Sequence, residues 1–149
     1  MKWIDLPPIW LICFSIMAGV QVKFYPLGLS FGGHWADFVG GILIGGGILL
    51  ILLAVSEFRR HRTTIMPHRT PETLIQSGIF SRTRNPVYLG DVMVLAGLII
   101  VFDAVLSLPL IPLFVWVLER RFVLPEEDRM RREFRLDWAR YAHKTRRWL

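Results

Sequence analysis

Residues 38–55 read Phe-Val-Gly-Gly-Ile-Leu-Ile-Gly-Gly-Gly-Ile-Leu-Leu-Ile-Leu-Leu-Ala-Val, eighteen positions without a charge or a proline. In lipid the backbone polar groups of such a run must be satisfied within the segment, which leaves a helix as its form. Eighteen residues rise about 27 Å, close to the thickness of a bilayer's hydrocarbon core. Gly41 and Gly45 stand four apart, on one helical face. In water each interior glycine would cost about 1 kcal/mol of helix stability; in lipid a small-xxx-small face permits close approach of another helix. The partner helix is expected within the same chain, with homodimerisation as the alternative.

Two further stretches are of span type. Residues 7–22 make about 24 Å of helix, slightly short for a bilayer. Lys2 and Lys23 flank them and can snorkel, and Trp3 and Tyr25 suit the interface. A cleaved signal peptide would also be short and apolar, but no small-x-small cleavage site precedes a polar mature region, so the stretch reads as a retained span. Cys13, the only cysteine, reads as an inert buried side chain. Residues 24–37 read as a loop. His34 within it is a surface imidazole, since no second His or Cys stands at metal spacing, and no metal is expected.

Charge decides the rest. Six arginines lie between residues 57 and 86, and ten lysines or arginines between Arg120 and Arg147. An arginine at the bilayer centre costs about 2.5–3.5 kcal/mol, so both clusters lie outside lipid, and the positive-inside rule puts both on the cytoplasmic face. The apolar residues between them must then cross an even number of times. Residues 87–102 and 104–118 form a tight hairpin turning at Asp103, its second arm kinked by Pro109 and Pro112. Residues 126–144 follow as an amphipathic helix. Met130, Phe134, Trp138 and Tyr141 share one face, and Arg129, Arg131, Arg132, Arg135 and Arg140 fill the remainder, a pattern for lying on the membrane or closing over the protein. The fold class is therefore an all-α integral membrane protein in one domain, with four transmembrane helices, cytoplasmic termini and a cytoplasmic C-terminal helix. The net charge of +6 fits anionic lipid headgroups as partners rather than nucleic acid. Asp91, one turn into the third span, is either a functional carboxylate or one that reaches the headgroups.

Between the second and third spans lies a loop richer than a connection needs, Thr73 to Gly90. Gly78 permits a positive backbone angle. Asn85 and Pro86 read as the cap and first residue of a helix, whose free N–H groups suit an anionic or hydroxyl ligand. A well-capped loop without further role has the same local signals.

The stretch Gly78-Ile79-Phe80-Ser81-x-x-Arg84-Asn85-Pro86-x-Tyr88-Leu89-Gly90, followed by Glu126-Glu127 and then Phe134-x-x-x-Trp138-x-x-Tyr141, resembles the isoprenylcysteine carboxyl methyltransferase family, integral-membrane enzymes that use S-adenosylmethionine. The similarity covers residues 57–149. It implies a cofactor-binding region over 72–90 and 120–149, with Thr73, Leu74, Ile75, Phe80, Asn85, Pro86, Val87, Tyr88 and Glu126 on cofactor-contact positions; no catalytic residue follows from it. Asn85 replaces the usual histidine and Phe80 the usual tyrosine. The basic loop and helix start suit the methionine carboxylate, Glu126 the ammonium or ribose hydroxyls, and Phe80 and Tyr88 the adenine or sulfonium. Glu127, about 100° away on a helix, is expected to matter less. Phe122 stands where family members that bind a prenylcysteine carboxylate have arginine. The implied activity is methyl transfer to a lipophilic or membrane-bound acceptor. The alternatives are phospholipid amine methylation and a small non-enzymatic membrane protein that binds anionic lipid or a partner. The oligomeric state is not legible.

Overall fold

The apolar run 38–55 is the middle of a longer helix. In the computed structural model, which describes residues 4–63 and 71–149, α2 spans His34–Arg60. Gly33, at φ 89°, closes the loop before it, and Asp37 in the first turn opposes the helix dipole. The loop is thus shorter than 24–37, and His34 is helical though exposed. Twenty-seven residues make about 40 Å of helix, so the last turns of α2 run past the apolar segment and carry Glu57 and Phe58 beside the loop around residue 78. The other helices are α1 (Pro7–Phe24), α3 (Pro86–Val101), α4 (Leu110–Leu118) and α5 (Leu124–Lys144). No strand occurs among the described residues. α1 and α2 are long and apolar enough to cross a membrane; α3 is a shorter apolar helix. The expectations for Lys2 and Trp3 lie outside the described residues.

The glycine face pairs α2 with α3, but through other glycines than expected. Gly41 and Gly45 have open space where a Cβ would be. Gly40 and Gly47 are buried. A Cβ on Gly47 would lie 2.5 Å from the carbonyl oxygen of Gly90, and one on Gly97 2.6 Å from that of Gly40. Seven residues separate the contacts on each helix, two full turns, so the same face returns. Backbone lies on backbone at both ends of this antiparallel pair.

The turn after α3 is made at Asp103 (φ 60°), whose Oδ1 accepts the Phe31 N–H at 2.6 Å. Hydrogen bonds from Ser30 and from the Phe31 backbone hold its carboxyl below the usual range. Ser107 donates to Gln21 at 2.9 Å, so the end of α1, the 25–33 loop and this turn share one end of the bundle. Pro109 and Pro112 do not kink the second arm. Pro109 is the N-cap of α4 and Pro112 lies in its first turn, where the absent N–H has no partner to lose; a 3₁₀ turn, Val105–Ser107, precedes them. Cys13 is exposed rather than buried, because it lies on the outer face of α1 with Ile12, Ile16 and Met17.

α4 and α5 are not separated by a loop. A π-helical turn, Glu119–Val123, joins them, and its wider winding shifts the register of everything after it. It buries Phe122 in a stack on Tyr88, centroids 6.1 Å apart. α5 is broken at Arg135 (φ 46°, ψ −110°), so its apolar stripe is divided; Trp138 and Tyr141 are buried and Leu136 is exposed.

The C-terminal residues return to the loop before α3. Arg84 N–H donates to Arg146 O at 3.0 Å, and the carbonyl of Arg147 accepts from Thr83 Oγ1 and Asn85 Nδ2 at 3.2 and 3.0 Å. The Arg147 guanidinium grips Glu127 through Nε (3.1 Å) and Nη2 (2.9 Å), and Glu119 through Nη1 (2.6 Å). Arg121 forks onto Asp5 nearby. Arg84 of the first basic cluster and Arg146 and Arg147 of the second therefore meet at one end of the bundle.

Two outcomes are expected in thermal unfolding of detergent-purified protein. Gly47→Leu destabilises by about 1–3 kcal/mol or more, since a side chain there must force the paired backbones apart, whereas Gly41→Leu and Gly45→Leu stay within about 0.5 kcal/mol. Arg147→Ala leaves buried Glu127 short of its main partner and costs about 1–3 kcal/mol, the figure discounted for the arginine's partial exposure; Arg147→Lys recovers only a fraction of this, lacking the bidentate fork.

Candidate functional site

Three segments far apart in the chain enclose a cleft at the end of the bundle where the basic clusters meet. The end of α2 contributes Phe58; the loop before α3 contributes Pro71, Thr73, Leu74, Ile75, Phe80, Arg84 and Asn85; α5 contributes Glu126, Glu127, Met130, Trp138 and Tyr141. The cleft holds about 510 Å³ of empty space, solvent at its mouth included.

Each wall is held by a specific contact. Gly78 has φ 59°, and a Cβ there would lie 2.6 Å from Glu57 Oε1; glycine is needed for both reasons. Ser77 donates to Glu57 Oε2 at 2.7 Å, which ties the loop to α2. Phe80 packs edge-on against Phe58, centroids 5.5 Å apart, in a small core with Ala54 and Ile75. Tyr141 bridges the opposite side, its hydroxyl donating to Phe80 O at 2.6 Å. Burial pushes its phenol up from the ordinary value, so it remains a donor at neutral pH.

Of the nine residues that the resemblance implies, Thr73, Leu74, Ile75, Phe80, Asn85 and Glu126 line the cleft. Pro86, Val87 and Tyr88 do not. Pro86 is fully buried at the first position of α3, and Val87 packs against the Ile75–Phe80 core. Tyr88 stands behind Glu126 and donates to its Oε1 at 2.5 Å. Asn85 occupies the N-cap position but makes no capping hydrogen bond; its amide is drawn to Arg147 O, because the returning C-terminus offers an acceptor that local sequence does not reveal. Glu127 also lines the cleft, is buried, and is held by Arg147.

Phe58, Arg84, Met130, Trp138 and Tyr141 line the cleft without being implied as cofactor contacts. The stripe Met130–Trp138–Tyr141 is visible in the sequence as a helix face, but the break at Arg135 that turns its second half onto the loop has no signal in the pattern. Asp91 is buried, and its Oδ2 lacks a hydrogen-bond partner among the described residues; it does not reach the bundle's surface.

Comparison with curated proteins and with solved structures gives no match. A family model described as phospholipid methyltransferase matches residues 35–137, more than two thirds of the chain, from the start of α2 into the second half of α5. That span holds the glycine-paired helices, the loop and both glutamates of the cleft. The chain belongs to the phospholipid methyltransferase family, within the integral-membrane isoprenylcysteine carboxyl methyltransferase-like group.

Proposed function

We propose that the chain is a four-span methyltransferase that takes S-adenosylmethionine in the cleft, at the cytoplasmic ends of its helices, and methylates a lipophilic or membrane-bound acceptor. One observation carries the reading: six of the nine cofactor-contact positions implied by the sequence line a single cleft, although Glu126 is about forty positions from the nearest of the others.

The lining fits such a cofactor chemically. Phe58, Phe80 and Trp138 offer apolar faces to a base or a sulfonium; Glu126 offers an acceptor for ammonium or hydroxyl groups; Asn85 and Arg84 stand on the opposite wall, and Arg84 Nε is buried without a hydrogen-bond partner among the described residues. The cofactor supplies a methyl group already activated on a positive sulfur, so the protein's share is orientation and exclusion of water. Glu126 is oriented for this by the Tyr88 hydroxyl. Tyr141, tied to Phe80 O, holds α5 closed over the loop. A polar donor reaches the cleft from the cytosol, while the acceptor approaches from the bilayer along the exposed apolar faces of α1 and α2.

A second reading, a phospholipid amine as acceptor, is favoured by Phe122. It is 1% exposed and stacked on Tyr88, so no guanidinium stands there for an acceptor carboxylate, and neighbouring Arg121 is engaged with Asp5.

Two measurements test the proposal. Glu126→Gln weakens S-adenosylmethionine binding about ten-fold or more in isothermal titration, from the loss of charge-assisted hydrogen bonds. Asp128→Asn, at an exposed residue paired with Arg131, serves as the control at near-wild-type affinity; absence of binding by the wild type would leave the non-enzymatic lipid-binding reading. In a Cys13→Ala background, His61→Cys and His143→Cys label from the same, cytoplasmic side; labelling from opposite sides sinks the four-span arrangement.

A further inference from the structure

The second half of α5 is held against its own helical tendency. Residues 126–149 contain no glycine and no proline, the usual causes of a sharp kink. Yet Arg135 leaves the helix at φ 46° and ψ −110°. That is the mirror image of an extended conformation, open to glycine and strained for an arginine. Wound straight, α5 would align Met130, Phe134, Trp138 and Tyr141 in one apolar stripe. Local sequence and tertiary structure therefore disagree at a single residue, a sign of strain held by the surroundings.

What bends the helix lies on the other wall of the cleft. Tyr141 donates to Phe80 O at 2.6 Å, and the Trp138 ring lies 5.6 Å under the Arg84 guanidinium. Beyond the helix, the carbonyl of Arg146 accepts the Arg84 N–H at 3.0 Å, and that of Arg147 accepts from Thr83 and Asn85. The Arg147 side chain then reaches back across the bend to Glu119 and Glu127. Two arrangements thus compete. The bent one satisfies the loop and covers the cleft with Trp138 and Tyr141. The straight one relieves Arg135 and rebuilds the stripe. Arg131, Arg132, Arg135, Arg140 and Lys144 are exposed on this helix, and an apolar stripe flanked by cations suits an anionic lipid surface.

We propose that residues 136–149 form a lid that swings about Arg135. It is bent over the cleft in one state and straight on the anionic membrane surface in the other, so that a polar ligand enters from the cytosol without disturbing the bundle. The two states follow from the bend and its latches, whatever ligand the cleft takes.

The test uses the full-length protein in nanodiscs, spin-labelled at His61→Cys and His143→Cys in the Cys13→Ala background, with distances read by electron–electron double resonance. The segment after the bend, Leu136 to Lys144, rises about 13 Å, so the states differ by roughly 10 Å at position 143. Two distances are expected in the labelled parent. Arg135→Gly moves the population to the short distance and Arg135→Ala to the long one. These substitutions remove the same charge and differ only in backbone preference, and the ratio of the two states is expected to differ about ten-fold or more between them. One distance that neither substitution moves, or a shift in the opposite sense, overturns the lid. Phosphatidylglycerol added to a phosphatidylcholine disc raises the long-distance fraction about two-fold or more; an unchanged fraction overturns the membrane surface as its seat. Saturating S-adenosylmethionine draws the population to the short distance. Binding seen by titration with no such change overturns the gating role. Failure to bind at all overturns the proposed function instead, and the two substitutions then judge the lid alone. Where neither substitution folds, the lipid and cofactor comparisons on the labelled parent decide.

Discussion

The first wall of the cleft depends on how closely α2 and α3 approach. Gly47 faces the carbonyl of Gly90, and Gly97 that of Gly40, at distances where any Cβ would collide. Such contact gives dispersion along both backbones and leaves room for weak Cα–H···O contacts. It also fixes the register of α3 against α2. Because α2 is about 40 Å long and α3 has only sixteen residues, the pairing leaves the last turns of α2 standing beside the loop that leads into α3. Glu57 and Phe58 sit on those turns. They anchor Ser77 and Phe80, and so shape one wall of the cleft from a contact made deep in the apolar region.

The second wall depends on charge. Arg147 is two residues from the C-terminus, yet it joins Glu119 on the π turn, Glu127 on α5 and, through its carbonyl, Thr83 and Asn85 in the loop. Glu127 is buried, and a lone carboxylate there would carry a desolvation penalty of several kcal/mol. The bidentate arginine offsets it and ties three segments together in doing so. Arg84 of the loop joins the same cluster, its Nη1 3.4 Å from Glu127 Oε1.

The sequence carried the helical class because it rests on elementary constraints: uncharged runs, two basic clusters that cannot lie in lipid, and Asp103 between apolar arms. It also carried Gly78 and Pro86, whose backbone requirements are local. It did not carry which glycines meet. Gly41 and Gly45 have the spacing of a packing face, but Gly40 and Gly47 make the contact, because the choice among the glycines on one helix belongs to the partner surface. Nor did it carry the π turn, which has no composition of its own and shifts both glutamates toward the cleft, or the break at Arg135. Cys13 shows the same limit from the outside. Apolar character on a span does not distinguish the face that meets another helix from the face that meets lipid.

Tyr88 joins the apolar core of the molecule to the wall of the cleft. Its ring lies in the apolar cluster, stacked on Phe122 near Phe14, Leu95 and Phe114, and its hydroxyl reaches Glu126 in the wall of the cleft. On the proposed reading, a polar donor and a lipophilic acceptor must meet where water is scarce and charge is still tolerated. A buried phenol bonded to a carboxylate is such a boundary, since the tyrosine satisfies the glutamate's lone pair without bringing water with it. The position where the resemblance implies an arginine for a prenylcysteine carboxylate is here the phenylalanine that supports this ring. On the proposed reading, the residue that departs from the family pattern does not weaken the site. It fills the space beside Tyr88 with apolar surface.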